Sequence, residues 1–146
     1  MKESSPKTRL ELPAASINEG FARVFAAAYA ARLDPTLEEL ADIKTVISEA
    51  VTNAIVHAYP DGGGIIYISA RIVDGDTLEF CVRDKGQGIG DIDKAMEPMF
   101  TTGGEERSGM GFTIMQSFTD RLTVWSRPGK GTKVTMRKRI AKPIRR

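Results

Sequence analysis

Histidine and cysteine are nearly missing from this chain: His57 and Cys81 are the only ones among its 146 residues. One cysteine cannot close an internal disulfide, and one histidine nearly excludes a zinc site. Long apolar runs are missing as well. No stretch approaches the ~20 apolar residues of a membrane span, so no membrane association is expected. Met1 to Leu12 carries charges but no apolar segment, so no secretory signal is expected. Together these absences predict a cytoplasmic protein. The common nucleotide signatures are absent too: there is no G-x-x-x-x-G-K-[ST], no G-x-G-x-x-G, no H-R-D and no D-F-G.

What is present fits one domain. The chain is 41% hydrophobic and 27% charged, the balance expected of an ordinary soluble globular domain. A chain of this size buries roughly 68–70% of its unfolded surface, enough for a real core. Charge is unevenly placed. Residues 1–120 hold 11 Lys/Arg and 19 Asp/Glu, whereas residues 121–146 hold 10 Lys/Arg and no acid. Six of those bases lie between Arg137 and Arg146. Such an end suits nucleic acid or an acidic partner, and equally a solvated last strand with a frayed terminus. We expect a domain over 1–140 and a basic tail over 141–146.

Thr8 to Leu12 alternates weakly and predicts a first strand. Ser16 and Glu19 are spaced as a capping box ahead of an alanine-rich helix reaching about Leu33. Ile17, Phe21, Val24, Phe25 and Ala28 form its apolar stripe, with Arg23 and Arg32 off it. Asp34-Pro35, with Thr36 and Glu39 as a second capping box, restarts the chain into a helix to about His57. Leu37, Leu40, Ile43, Val46, Ile47, Ala50, Val51, Ala54 and Ile55 give that helix one continuous stripe. Ile65 to Val73 and Thr77 to Asp84 predict a hairpin around Asp74-Gly75-Asp76. A glycine-rich segment covers 85–108, and a helix is expected from near Gly109, carrying Phe112, Met115 and Phe118. Leu122 to Arg127 and Thr132 to Lys138 predict a last hairpin. Adjacent strands in runs argue for α+β: a single-domain, two-layer sandwich with a mixed sheet covered by helices on one face.

Three features carry chemistry. Glu49 and Asn53 stand at i, i+4 on one face of the second helix, outside its apolar stripe. A carboxylate beside a carboxamide suits a hard cation, and the same Glu can take a proton from an attacking hydroxyl. A solvated helix face would look the same. Asp84 shares strand parity with Leu78, Phe80 and Val82, which places a carboxylate on the core face. At a strand end a ligand donor, such as an exocyclic adenine amine, could satisfy it. Seven of the 14 glycines fall between Gly86 and Gly111. A long glycine-rich loop running into a helix N-terminus reads as a phosphate lid.

Glu49-x-x-x-Asn53, Asp84-x-Gly86-x-Gly88, Gly109-x-Gly111 and Gly131-Thr132, in this order, resemble the ATP site of the GHKL superfamily. That group includes histidine kinases, type II topoisomerases and heat-shock chaperones, and its fold is the Bergerat ATP-binding fold. Within it the chain is similar to the anti-sigma factor serine kinases, above all the sporulation anti-sigma-F group of spore-forming bacteria. Phe21 to Val24, Leu33 to Thr36, Glu49 to His57, Phe100 to Thr102 and Glu106 to Met115 carry the closer likeness.

The resemblance implies a protein serine/threonine kinase that uses ATP and Mg²⁺ and also inhibits a sigma factor. Glu49 would be the general base and Asn53 the Mg²⁺ ligand. Asp84 would accept from the adenine amine, with Thr132 beside it and water between. Gly86 and Gly88 would let the loop approach the nucleotide. Thr101, Thr102 and Arg107, Ser108, Gly109, Met110, Gly111 and Phe112 would close on the phosphates. Arg23, together with Arg107, would hold partner proteins. Implied partners are a sigma factor, an anti-anti-sigma protein phosphorylated on serine, and a second copy in a homodimer; no direct DNA binding is expected. The rivals are a non-catalytic module gated by ATP, and the kinase domain of a histidine kinase. The latter lacks room here for a phosphoacceptor hairpin.

Overall fold

The computed structural model describes residues 4–88 and 106–141, without the side chains of 106–111. Five strands form one sheet: β1 (Thr8–Pro13), β2 (Ile65–Val73), β3 (Thr77–Asp84), β4 (Arg121–Arg127) and β5 (Gly131–Arg139). Their order is β1-β2-β3-β5-β4. The mixed sheet expected from the sequence is corrected, since all four described pairings are antiparallel. Two of the pairings are hairpins; in the first, Asp74 and Gly75, both at positive φ, turn β2 into β3 over the three-residue loop 74–76.

The helices are α1 (Ile17–Ala30), α2 (Leu37–Asn53) and α3 (Glu106–Ser117). A 3-10 turn, Ala31–Leu33, joins the first two. α2 lies in the middle, packed on α1 on one side and α3 on the other. Its predicted stripe is the core: Ile43, Val46, Ile47, Ala50 and Val51 are buried against Ile66, Ile68, Leu78, Phe80 and Val82. The capping box at its start is formed. Thr36 Oγ1 accepts from the Glu39 amide at 3.1 Å, and Glu39 Oε1 accepts from the Thr36 amide at 2.9 Å. Thr36, not Asp34, is the cap; Asp34 sits at φ 51° and ends the preceding turn. Glu39 Oε2 also accepts from the Ala141 amide at 3.0 Å, tying the end of the described chain to this helix. No described helix is long and apolar enough to cross a membrane.

Two expectations for α1 are corrected. Ser16 makes no side-chain cap; Asn18 instead donates to the Pro13 carbonyl at 2.8 Å. The apolar stripe faces outward: Ile17, Phe21 and Val24 are 84%, 52% and 62% exposed, while Ala22, Ala26, Tyr29 and Ala30 are buried. Small alanine side chains let α1 lie close on the layer beneath, with Tyr29 and half-buried Phe25 beside them, so Ile17, Phe21 and Val24 are left on the far side.

Glu79 is a buried charge on the sheet, 7% exposed. Arg71 Nε donates to Oε1 at 2.7 Å and Arg137 Nε to Oε2 at 2.8 Å. Burial alone would raise its pKa; the two guanidinium groups outweigh that and hold it below the ordinary carboxylate value. A depressed pKa stabilises the fold above the unfolded-state pKa, and that contribution vanishes as pH falls through the folded one. Glu79→Gln should therefore lower the unfolding free energy by about 1–3 kcal/mol at pH 7. Urea melts at pH 7 and pH 3 check this: the gap should close at the lower pH.

Candidate functional site

The candidate site lies where α2 ends above the ends of β3 and β5. Antiparallel register sets Asp84 opposite Thr132, and strand parity turns both to the helix side. Both are buried, at 7% and 8% exposure, under Val82 and Val134. Asp84 Oδ1 accepts from the Gly86 amide at 3.0 Å and the Thr132 amide at 3.2 Å. Among the described residues Oδ2 accepts nothing. Desolvation raises the Asp84 pKa, and the two amide hydrogen bonds only partly offset it. Thr132 Oγ1 lies 2.7 Å from Ser126 Oγ, so the threonine hydroxyl is held in place.

The segment after Asp84 is pinned tightly. The Lys85 amide donates to the Tyr59 hydroxyl at 2.7 Å, and that hydroxyl donates to the Ile65 carbonyl at 2.8 Å. The Gln87 amide donates to the Ala58 carbonyl at 3.1 Å, and its side chain Nε2 to the His57 carbonyl at 2.6 Å. A Cβ at Gly86 would collide with the Ala58 carbonyl oxygen, and one at Gly88 with the Arg127 carbonyl oxygen. Gly88 also has φ 77°. These glycines are thus demanded by protein contacts, before any ligand is considered. Sequence reading missed Tyr59 and Gln87. Tyr59 stood in a segment legible only as a turn, and its role depends on a contact 26 residues away.

Glu49 and Asn53 sit on the last turns of α2, both half-buried. The helix then widens into a π-turn over Ala54–Ala58. Such widenings are often found at functional sites. Asn53 Nδ2 is buried without a partner among the described residues. The two ends of a carboxamide have the same shape, so a flip places Oδ1 at the orphaned position. An oxygen there, with Glu49 one turn away, is a hard-cation donor set. No group of three or more acidic, histidine or cysteine side chains suited to a metal occurs among the described residues. A cation here would draw further ligands from water and a bound phosphate. The residues fit Mg²⁺ on that basis.

The remaining expectations divide. Thr101 and Thr102 lie outside the described residues. Arg107 to Gly111 fall within α3, which begins at Glu106, three residues before the expected start near Gly109. Phe112, expected at the phosphates, has its side chain 3% exposed in the core with Met115. Arg23 is on α1, 47% exposed, with Nε 2.6 Å from Glu19 Oε2. The His57 carbonyl holds the Gln87 side chain.

A raised pKa makes Asp84 stabilising when protonated, and that contribution is lost as pH rises through the folded value. Asp84→Asn keeps an acceptor for both amides and removes the buried charge. Its unfolding free energy at pH 7 should stay within about 1 kcal/mol of the parent. On acidification from pH 7 toward 4 the parent should gain on the variant. A parent that loses ground to the variant over that range would contradict the assignment.

Comparison with known proteins bears on this geometry. The histidine kinase-like ATPase domain family matches residues 12–138. The anti-sigma F factor of Caldanaerobacter subterraneus subsp. tengcongensis is 60% identical over 129 residues, which cover 87% of this chain and 89% of that protein. The anti-sigma F factor of Geobacillus thermodenitrificans is 56% identical over 135 residues, covering 91% and 92%. Among solved structures, the RsbU and RsbW domains of a Mycobacterium tuberculosis protein align with TM-score 0.70 and 21% identity, over 97% of this chain and 34% of that one. The histidine kinase domain of a blue-light activated kinase from Erythrobacter litoralis aligns with TM-score 0.58 and 20% identity, over 88% and 62%. At such identities the structural likeness speaks for the fold. The family match and the close relatives go further: this chain belongs to the histidine kinase-like ATPase domain family and, within it, to the anti-sigma F factors.

Proposed function

We propose that this protein binds and inhibits an RNA polymerase sigma factor, of the sporulation sigma-F kind, and phosphorylates a serine of an anti-anti-sigma protein with Mg-ATP. The observation that carries the nucleotide half is Asp84, a buried carboxylate with one oxygen committed to backbone and the other accepting nothing among the described residues. The relatives' name, anti-sigma F factor, supports the sigma half.

Phosphoryl transfer needs positioning and charge stabilisation more than covalent chemistry by the protein. Asp84 Oδ2 would accept from the adenine amine, which rejects a base carrying a carbonyl there. Thr132, fixed by Ser126, would order a water beside it. Mg²⁺, when bound, neutralises phosphate charge. Asn53 would hold it, and Glu49, one helical turn back, would take the proton of the attacking serine hydroxyl. Main-chain amides near the start of α3, from Arg107 to Gly111, would face the phosphates. Thr101 and Thr102 are proposed to close over them. An anti-anti-sigma protein in its unphosphorylated form would compete with sigma, and phosphorylation would end that competition. The active unit proposed is a dimer.

The decisive experiment incubates the protein with labelled ATP and an anti-anti-sigma partner. Label on a partner serine supports the kinase; tight ATP binding without transfer indicates an ATP-gated binding module; label on His57 indicates a histidine kinase. Glu49→Gln should stop transfer while ATP still binds. Asp84→Asn should weaken ATP by roughly 10- to 150-fold, the loss of a charge-assisted bond of about 1.5–3 kcal/mol. Near-normal turnover by Glu49→Gln would remove it as the base.

Arg23 carries the partner reading. It flanks the outward apolar stripe of Ile17, Phe21 and Val24, an unusual face for a helix that no described residue covers. Its guanidinium, now paired with Glu19, would be shared with a partner carboxylate. Arg23→Ala should weaken sigma binding by about 2–5 kcal/mol. ATP affinity should stay within about twofold. Paired titrations with sigma and with ATP on the one variant check this; loss of ATP binding alone would relocate the partner face.

A further inference from the structure

The helices cover one face of the sheet, and among the described residues no helix packs on the other. Strand register arranges that open face in rows. Tyr67, Arg83, Lys133 and Trp125 lie side by side across β2, β3, β5 and β4. Four residues along, Arg71, Glu79, Arg137 and Arg121 form a parallel row. Between them runs a row of small side chains: Ser69, Cys81, Thr135 and Thr123. The result is a trough crossing the strands, with two taller, basic walls. At four residues the walls are about 13 Å apart, and four strands make it about 14 Å long. Its β1 end opens into a cavity of about 360 Å³ bordered by Lys7, Arg9, Tyr67 and Arg83.

The charge is lopsided. Arg9, Arg71, Arg83, Lys133, Arg137 and Arg121 face Glu11 and Glu79, and Glu79 is already held by two arginines. Arg83 and Lys85 each place their charge 5.0 Å from the Tyr67 ring centroid. Trp125, at the other end of the same row, is 47% exposed. An aromatic ring at each end of a basic row suits unpaired bases stacked above a phosphate chain. A duplex is too wide for the trough. A second copy stacked on this face would oppose like charges.

We propose that the open sheet face is a docking site for single-stranded nucleic acid, about 3–5 nucleotides long, lying across the strands with bases on Tyr67 and Trp125.

The test uses the full chain and fluorescein-labelled 12-mers of oligo(U) and oligo(dT). Anisotropy titrations between about 50 and 200 mM salt should give a log–log slope of about −2 to −3, three or four phosphates at roughly 0.7 each. Trp125 is the only tryptophan, so its own fluorescence should be quenched on binding. Arg83→Glu with Lys133→Glu should weaken both oligomers at least tenfold. The milder Arg83→Gln and Lys133→Gln, safer for folding, should each reduce the slope by about 0.7. Lys44→Glu, on the exposed side of α2, should change neither. Equal affinity for both oligomers indicates phosphate readout, and preference for oligo(U) indicates added contacts to the 2′-hydroxyl; either supports the site. Four results overturn it: no binding at 50 mM salt; binding unaffected by Arg83 and Lys133 but abolished by Arg145→Ala with Arg146→Ala; equal binding of poly-glutamate without quenching, which indicates an acidic protein; or a dimer whose Trp125 is already shielded from iodide, which indicates a second copy on this face.

Discussion

The architecture around the candidate site depends on one group, the carboxylate of Asp84. Burying a carboxylate is unfavourable unless donors surround it. Here one oxygen collects two backbone amides, from the loop that leaves β3 and from the strand beside it. That choice fixes the loop's direction. Gly86 must then pass beneath the end of the π-turn, where only a residue without Cβ fits, and Tyr59 and Gln87 lock the next backbone groups. Among the described residues the second oxygen is uncommitted. A structural aspartate would more economically use both. One oxygen spent on rigidity and one left open is the arrangement expected of a recognition group.

Much of this was legible in the sequence because it is local and periodic. Alternation placed β2 and β3 with their observed ends, and it put Asp84 on the core face before any coordinates. The α2 stripe gave the core, and Thr36-x-x-Glu39 gave its cap. The misreadings have a common cause. On α1 two apolar faces compete, one of large residues and one of alanines, and hydrophobicity alone favours the large one. Close packing on α2 selects the alanines instead. Ser16 and Glu19 have capping-box spacing, but Glu19 is drawn to Arg23 and Asn18 to Pro13, so the box does not form. Phe112 was read with its glycine-rich neighbours, whereas its helix starts earlier and turns it to the core. Tyr59 and the sheet rows depend on long-range register, which no local pattern encodes.

The outward stripe of α1 and the site at the end of α2 belong to one helical layer, joined through the α1–α2 packing. That matters for a protein whose relatives are named for holding a sigma factor. The buried side of α1 is mostly alanine, with Tyr29 among them, and alanines pack closely and have no rotamers to absorb a shift. A displacement of α2 at Asn53 would therefore be passed to α1 as a rigid movement. The π-turn directly after Asn53 is the obvious place for such a displacement to start, because its widened ladder has an alternative, the ordinary α-helix.

The charge split along the chain takes on a different meaning once the strands are paired. Read linearly, the ten bases after residue 120 look like a basic tail. In the fold, three of the six bases in β4 and β5 pair with acids from the acidic part of the chain. Arg137 goes to Glu79, Lys138 to Asp42 and Arg139 to Asp76. Glu79, the acid in the rows of the open face, is taken up by Arg71 and Arg137. Lys138 points to the helix side, as its parity requires, and neutralises α2 rather than the sheet. Lys133 is left exposed beside Arg83, and Arg121 beside Arg137, with no acid directly opposite either in the register. The basicity of the open face is thus produced by β-pairing, not by the terminus. A basic tail could be removed without touching it, whereas a one-residue slip of β5 would turn Lys133 and Arg137 to the helix side and abolish it.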